Sequence, residues 1–414
     1  MGILKRFATS EHGGTAVTFA IAVVPLLVAA GVAIDFGRYY ASQTQLQAAL
    51  DDATLAAAVA RDKTLVQRQK IGLDAFNANM KTGEVANVVS RVDFKVNATD
   101  VTATASFSLP TSFMSIVGIN HMDIATQSVV AIPENKNAEI AFVLDYSGSM
   151  GDVSGTEVKY IAMRKAATKL IDDLTKNDAD KLKFALVPFS HHVYTSLPGE
   201  YVLGKAAGST WTGCTQDRQY PYNLSDATPD GTAGSKWGQP NAPEHAYYGC
   251  AGYKDHNLKL VPLTKDFASL KSQMSVMTPY AYTHVALGVE FGYHVLSPNA
   301  PYGEGASYTD KKTQKYMIVL TDGEQTEPAF GPGGTRTVAQ GDSNLEALCS
   351  NAKASGITMM TVAFDLDDSS QRARLKGCAS DEKQDFFVAN SSDEMAQAFQ
   401  SITAAISSQA FLSK

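Results

Sequence analysis

The run Ala16 to Ile34, AVTFAIAVVPLLVAAGVAI, holds 19 residues without a charge. As a helix it extends about 28 Å, close to the hydrocarbon thickness of a bilayer. Two readings follow. With Lys5 and Arg6 as a short basic lead, the run is either a signal peptide or a retained anchor. The anchor is favoured, because the run exceeds a signal's usual apolar core and no Ala-x-Ala-like site opens onto a mature start. Instead the pattern continues as FGRYYASQTQLQAALDDATLAAAVA, with no Pro or Gly after Gly37. Pro25 is tolerable, since membrane helices absorb a proline kink. Lys5 and Arg6 put the short N-terminus in the cytoplasm and everything after residue 35 outside, although Arg38 and Arg61 pull against that orientation.

Cysteine gives independent support for an oxidising compartment. Cys214, Cys250, Cys349 and Cys378 are even in number and widely spaced. None forms a Cys-x-x-Cys pair, which argues against a zinc ribbon or a thioredoxin-type motif. Four cysteines allow three pairings. The expectation is sequential, Cys214–Cys250 and Cys349–Cys378, with four buried free thiols as the alternative.

A chain of 414 residues is too long for one ordinary domain. Its net charge of −7, with no Lys/Arg patch interleaved with aromatics, sets nucleic-acid binding aside. Residues 1–35 are read as a cytoplasmic tail and transmembrane anchor. Residues 36 to about 80 carry a long amphipathic helix that extends the anchor, with Leu46, Leu50, Ala53 and Val59 at helical spacing. From Thr82 to Ile132 the period becomes two: VDFKVNA and VTATASFSL alternate around a turn at Asn97–Asp100, and TQSVVAIP is a further strand. Residues 36–132 are therefore a small α+β region, and PENKNA, 133–138, is a linker.

From 139 to 414 strand and helix alternate. Strands are expected at 139–144, 183–189, 316–320, 358–364 and 385–389, and helices at 156–174, 283–296, 343–355, 369–376 and 391–408. Continuous apolar strands such as MIVL and ITMMTVAF suit a parallel sheet covered on both faces. The expected fold class is α/β, with a doubly wound, mostly parallel sheet. Two segments, 196–262 and 323–342, fit neither period and read as insertions.

In such a sheet, ligands bind at the carboxyl ends of strands near a switch point. AEIAFVLDYSGSM puts Asp145, Ser147 and Ser149 just past the first strand, and MIVLTDGE puts Asp322 after a later one. TPYAYTHVALGVEFGYHVLSP sets Thr283 at the start of an apolar helix. Singly, each is an ordinary turn or N-cap. Together, Asp-x-Ser-x-Ser, the Thr and the Thr-Asp-Gly resemble the von Willebrand factor A family and its metal-ion-dependent adhesion site. The resemblance implies Ser147 and Ser149 as hydroxyl ligands, Thr283 as a direct or water-mediated ligand, and Asp145 and Asp322 acting mostly through waters. A hard cation with several waters fits such oxygens, so Mg²⁺ is expected, with Ca²⁺ or Mn²⁺ as alternatives. An open position would accept an Asp or Glu from a protein partner. That makes a binding module with no nucleophile or base of its own.

GGTAVTFAIAVVPLLVAAGVAIDFGRYYASQTQLQAALDDATLAAA, PTSFMSIVGI at 110–119 and CASDEKQDFFVANSSDEMAQAFQSI are similar to Tad (tight adherence) pilus-assembly proteins of the TadG type. Thr18 stands where related pilin-like proteins carry a Glu near the processing site, which again favours a retained anchor. This resemblance implies a single-pass protein of the bacterial inner membrane. The bulk of the chain would lie in the periplasm or outside the cell, with pilus-assembly or pilin-like partners.

The competing class is a metal-assisted hydrolase or phosphotransferase with Asp145 or Asp322 as nucleophile. It requires a nearby Lys, for which Lys159 and Lys315 qualify by type only. Neither a Gly-x-Ser-x-Gly elbow nor a Walker Lys is present. His191, His192 and His284 lack a second pair at ligand spacing and read as solvated or helix-start histidines. DLDDSS, 365–370, lacks the Gly and terminal Glu of an EF-hand and reads as a helix-start loop.

Overall fold

The computed structural model describes residues 14–60, 63–80, 89–97, 99–132, 136–240 and 250–411. Lys5, Arg6 and Arg61 lie outside those residues. The chain divides into two compact units, one reaching Glu134 and the other beginning at Asn135.

In the first unit, α1 (Gly14–Val59) contains the uncharged run and is long and apolar enough to cross a membrane. Phe19, Ile21, Leu26 and Leu27 are exposed on it. The helix does not continue to residue 80 as the amphipathic pattern suggests. It stops at Val59, and α2 (Leu65–Asn79) packs against it. Two contacts make the break. Thr64 and Gln67 form a reciprocal capping box, the Gln67 N–H donating to Thr64 Oγ1 at 3.3 Å and the Thr64 N–H donating to Gln67 Oε1 at 3.0 Å. Buried Arg68 then donates to the carbonyls of Ala57 and Ala58, which the end of α1 leaves without helical partners. Strands β1 (Val89–Val96), β2 (Asp100–Pro110) and β3 (His121–Ala131) form an antiparallel sheet in that order. Its apolar face, with Phe94, Val101, Phe107 and Ile124, shares one core with Leu46, Leu50, Ala53 and Phe76 of the helices.

The second unit is mixed α/β. Its strands are β4 (Asn137–Asp145), β5 (Leu182–Phe189), β8 (Val261–Thr264), β9 (Thr313–Thr321), β10 (Ile357–Phe364) and β11 (Phe386–Ala389). A hairpin, β6 (Val193–Pro198) with β7 (Thr210–Thr215), lies apart from the main sheet. The sheet order is β8-β5-β4-β9-β10-β11, parallel throughout except for antiparallel β8 at the edge. Helices cover both faces. Ile140, Phe142 and Leu144 meet α3 (Lys159–Asp178) and the C-terminal α8 (Ser392–Ile406), whereas Ala141 and Val143 meet α5 (Val285–Leu296) and α6 (Val338–Ala354). Two-sided burial explains why these strands read as unbroken apolar runs. Every residue of α5 is buried. Its Gly288 and Gly292 allow the close approach: a Cβ at 288 would lie 2.6 Å from the Phe189 ring, and one at 292 would lie 2.5 Å from Val143.

The segment 196–262 is not uniformly irregular. It holds most of the β6–β7 hairpin and the start of β8, and α4 (Phe267–Val276) follows. Within 323–342, Thr337 caps α6 by accepting the Gln340 N–H, so that helix starts before the expected 343. Cys214 is bonded to Cys250 and Cys349 to Cys378. The second bond ties α6 to α7 (Ser369–Cys378), across a sequence separation of 29. Closing a loop of that size stabilises by about 3–4 kcal/mol through the unfolded chain. The double variant C349A/C378A is therefore expected to unfold at lower denaturant by about that amount, measured by urea titration of the full chain. An unchanged midpoint would refute the assignment of stability to this bond.

Candidate metal centre

Strand β4 has neighbours whose connections leave in opposite directions, to β5 on one side and toward β10 on the other. The crevice between the ends of β4 and β9 is thus the switch point of the sheet. Asp145 is the last residue of β4, in register with Phe189, and Asp322 directly follows Thr321 at the end of β9. Two carboxylates therefore emerge side by side, Asp145 fully buried and Asp322 6 % exposed.

The loop after β4 turns back on Asp145. Its Oδ1 accepts the Ser147 N–H at 2.7 Å, and its Oδ2 accepts the Thr321 hydroxyl at 2.5 Å. The Gly148 N–H donates to the Ala281 carbonyl at 2.8 Å, holding this loop against the segment that leads into α5. Ala281 sits in the left-handed region at φ 70°, a conformation unfavourable for a residue with a Cβ. Ser147 Oγ and Ser149 Oγ lie 3.2 Å apart, and Ser149 Oγ donates to Asp322 Oδ1 at 2.7 Å. Thr283 joins the same group. A Cβ built on Gly323 would lie 3.2 Å from Thr283 Oγ1 and 3.7 Å from Ser149 Oγ, so both hydroxyls border the space left by that glycine. Thr283 is fixed there by Thr326, whose Oγ1 accepts the Thr283 N–H at 2.9 Å.

A fixed cation is already present. Lys159, first residue of α3, places Nζ 2.9 Å from Asp322 Oδ2 and 3.3 Å from Asp365 Oδ2. Asp365 is itself left-handed, at φ 49°. Burial opposes the charge on Lys159, but hydrogen bonds and charge from Asp322 and Asp365 raise its pKa overall. Neither residue pattern nor spacing pointed to Asp365 as a neighbour. Lys315 lies at the other end of the sheet, 2.6 Å from Glu139 Oε2 and donating to the Leu296 carbonyl.

Electrostatically the site wants more positive charge than Lys159 supplies. Burial first, and then the charge of Asp322, push Asp145 up to about 7. Burial also raises Asp322, against the hydrogen bonds from Lys159 and Ser149. Among the described residues no group of three His, Cys, Asp or Glu side chains is placed to hold a metal ion. The donor set here is instead two carboxylates and three hydroxyls, the hard-oxygen set that fits Mg²⁺ or Ca²⁺ and excludes a soft transition metal.

The histidines differ from expectation. His191 and His192 are buried, not solvated: Tyr253 Oη lies 2.9 Å from His191 Nδ1 and accepts the His192 N–H at 2.8 Å. His284 stands at the N-cap of α5, at a helix start as expected, and is buried. In DLDDSS, Asp368 caps α7 by accepting the Gln371 N–H at 2.7 Å.

The pH dependence follows from Asp145. The folded chain holds its proton more tightly than the unfolded chain, where the ordinary value is 3.8. Stability therefore falls as pH rises through the window from about 4 to about 7, and the loss is complete above it. In EDTA, D145N is expected to gain about 3–4 kcal/mol on the wild type between the two ends of that window, followed by chemical denaturation. A difference that stays flat with pH would sink this account.

Among solved structures, the chain is similar to the vWF domain of the type V pili tip protein Mfa5 from Porphyromonas gingivalis, at 14% identity and TM-score 0.42, covering 67% of this chain and 97% of that one. It is similar to the PilB minor pilin from Streptococcus sanguinis at 13% identity and TM-score 0.40, covering 78% and 79%. It is also similar to the adhesive tip pilin GBS104 from Group B Streptococcus agalactiae at 10% identity and TM-score 0.40, covering 66% and 100%. No match was found among curated proteins. Residues 13–60, most of which lie on α1, match the Tad family model, described as "Putative Flp pilus-assembly TadE/G-like".

Proposed function

We propose that the second unit is a doubly wound von Willebrand factor A-like domain that binds a protein partner through a shared divalent cation, in Tad/Flp pilus assembly or surface adhesion. The observation that carries this reading is the chain of contacts that links Asp145, Ser147, Ser149 and Asp322, with Ser149 and Thr283 bordering the space beside Gly323. Ser147, Ser149 and Thr283 would hold Mg²⁺ through hydroxyls, with Asp145 and Asp322 behind them. When bound, the cation supplies a positive charge with an open position for a partner's Asp or Glu. The residues of the chain do the rest. Asp145 orients the Ser147 loop through its N–H, Thr321 and Lys159 hold the two carboxylates in place, and Gly323 keeps the space open. The N-terminal run would anchor the chain once in the bacterial inner membrane, with the bulk in the periplasm or outside the cell. The Tad match of residues 13–60 supports that placement and pilin-like or pilus-assembly partners.

Lys159 beside Asp322 is the one observation favouring the phosphotransferase or hydrolase reading, since that chemistry needs a cation near its carboxylate. Against it, Asp145 is fully buried with both oxygens accepting hydrogen bonds, and Asp322 is engaged by Ser149 and Lys159. Each of the four carboxylate oxygens accepts a hydrogen bond, which lowers its nucleophilicity.

Titration calorimetry with Mg²⁺ on the full chain tests the site, and capture of envelope proteins tests its use. S149A is expected to weaken Mg²⁺ binding by about ten-fold or more, as loss of one direct oxygen ligand implies. EDTA and D145A should both abolish capture. Capture indifferent to both would end the adhesion reading. Turnover of a phosphate or acyl ester that vanishes in K159M would establish the enzyme instead.

A further inference from the structure

A second apolar element lies beside the uncharged run. Residues 109–120, LPTSFMSIVGIN, contain no charge and join β2 to β3. The loop is a closed turn: the Ile119 N–H donates to the Met114 carbonyl, the Thr111 N–H donates to the Asn120 carbonyl, and Gly118 reverses the chain at φ 88°. Closure points its large side chains outward. Ile116 is 75 % exposed, and Phe113, Val117 and Ile119 are exposed with it.

The position of this tip along α1 is fixed by two contacts. Asp35, the first charged residue after the uncharged run, is buried and accepts the N–H groups of Ser112, Phe113 and Met114 at 2.9, 2.7 and 2.7 Å. Phe113 packs on Gly31, where a Cβ would lie 2.5 Å from the Phe113 Cβ. One turn beyond Asp35, Arg38 donates to Ser112 Oγ at 2.6 Å and pairs with Asp35. The exposed apolar tip is thereby held at the level where α1 would leave the hydrocarbon.

We infer that the 113–119 tip is a second membrane contact, its Ile116, Val117 and Ile119 side chains immersed in the lipid interface beside the span, with Asp35 as the lock that sets its depth. This rests on the reading of residues 16–34 as a membrane span. The occupant is lipid because the apolar surface continues that of the span and the loop carries no charge. A tip at this level reaches the headgroup and acyl boundary, about 5–10 Å deep, where apolar side chains of interfacial segments sit. Asp35 explains itself on the same terms. A carboxylate beside the bilayer is costly unless its oxygens are satisfied, and three backbone donors satisfy them.

The test uses the full chain in phosphatidylethanolamine–phosphatidylglycerol vesicles, with a diazirine side chain placed singly at Val24, Ile116 or Thr99. Lipid adducts are read by mass spectrometry. Val24 and Ile116 should both label lipid, Ile116 by about ten-fold more than Thr99 on the distal turn, the contrast between an interfacial and an aqueous position. D35N should reduce the Ile116 adduct by about three-fold or more, as loss of a buried charge-assisted bond implies, with Val24 unchanged. Lipid labelling at Val24 with only water or protein adducts at Ile116 overturns the inference and leaves the span intact. Absence of lipid adduct at Val24 overturns the span, and the inference falls with it.

Discussion

Asp145 and Asp322 are brought out of water side by side, and the end of the second unit is arranged around that juxtaposition. Sheet order imposes it: β4 and β9 are parallel neighbours, in register from Asn137 and Thr313 to Leu144 and Leu320, so Asp145 comes level with Thr321 and Asp322 follows one residue later. Two unpaired carboxylates in such a place would be expensive. Each nearby feature offsets part of that cost. Thr321 and the Ser147 N–H donate to Asp145, while Ser149 and Lys159 donate to Asp322. The close approach of α5 at Gly288 and Gly292 brings Thr283, just ahead of that helix, to the same edge.

Lys159 makes the balance asymmetric. Its ammonium serves Asp322 and Asp365, leaving Asp145 with dipoles only. That asymmetry explains why burial and the charge of Asp322 push Asp145 so far up while Asp322 has two opposing bonds. A divalent ion near the serines would add positive charge to the carboxylate that lacks a cation. The left-handed residues Ala281 and Asp365, one on each side of the site, are the local backbone strain that this arrangement tolerates.

Much of this was legible in the residues and some was not, for physical reasons. The five parallel strands stood out because two-sided burial demands continuous apolar side chains, and DLDDSS stood out as the start of α7, whereas the Thr337 cap of α6 fell within a segment read as an insertion. Asp145, Ser147, Ser149, Thr283 and Asp322 could be proposed as a group because each falls at a strand or helix end. The break between α1 and α2 was missed although Thr64-Leu65-Val66-Gln67 carries a capping-box spacing, since no Pro or Gly marks it. The buried pair Arg218–Glu290, 2.9 Å apart, could not be read at all. Glu290 interrupts a wholly buried, mostly apolar helix, and its partner lies 72 residues away in a Gly- and Tyr-rich insertion, also stacking on Trp237. Long-range pairing of this kind leaves no periodic trace.

The contrast between Asp35 and Asp145 sharpens what counts as a binding site. Both are buried carboxylates held by segments distant in sequence. Asp35 receives three backbone N–H donors and a neighbouring guanidinium, so its charge is satisfied within the fold. Asp145 receives one N–H and one hydroxyl and faces a second carboxylate, so its charge is not. Hydrogen bonds to an ion stabilise it roughly in proportion to their number, whereas a like charge nearby does the opposite. A saturated carboxylate therefore acts as a structural lock, whereas an undersaturated pair lined with hydroxyls has charge left to balance, as the proposed cation would do. The two aspartates differ in charge balance because their donors differ, and burial alone would not have distinguished them.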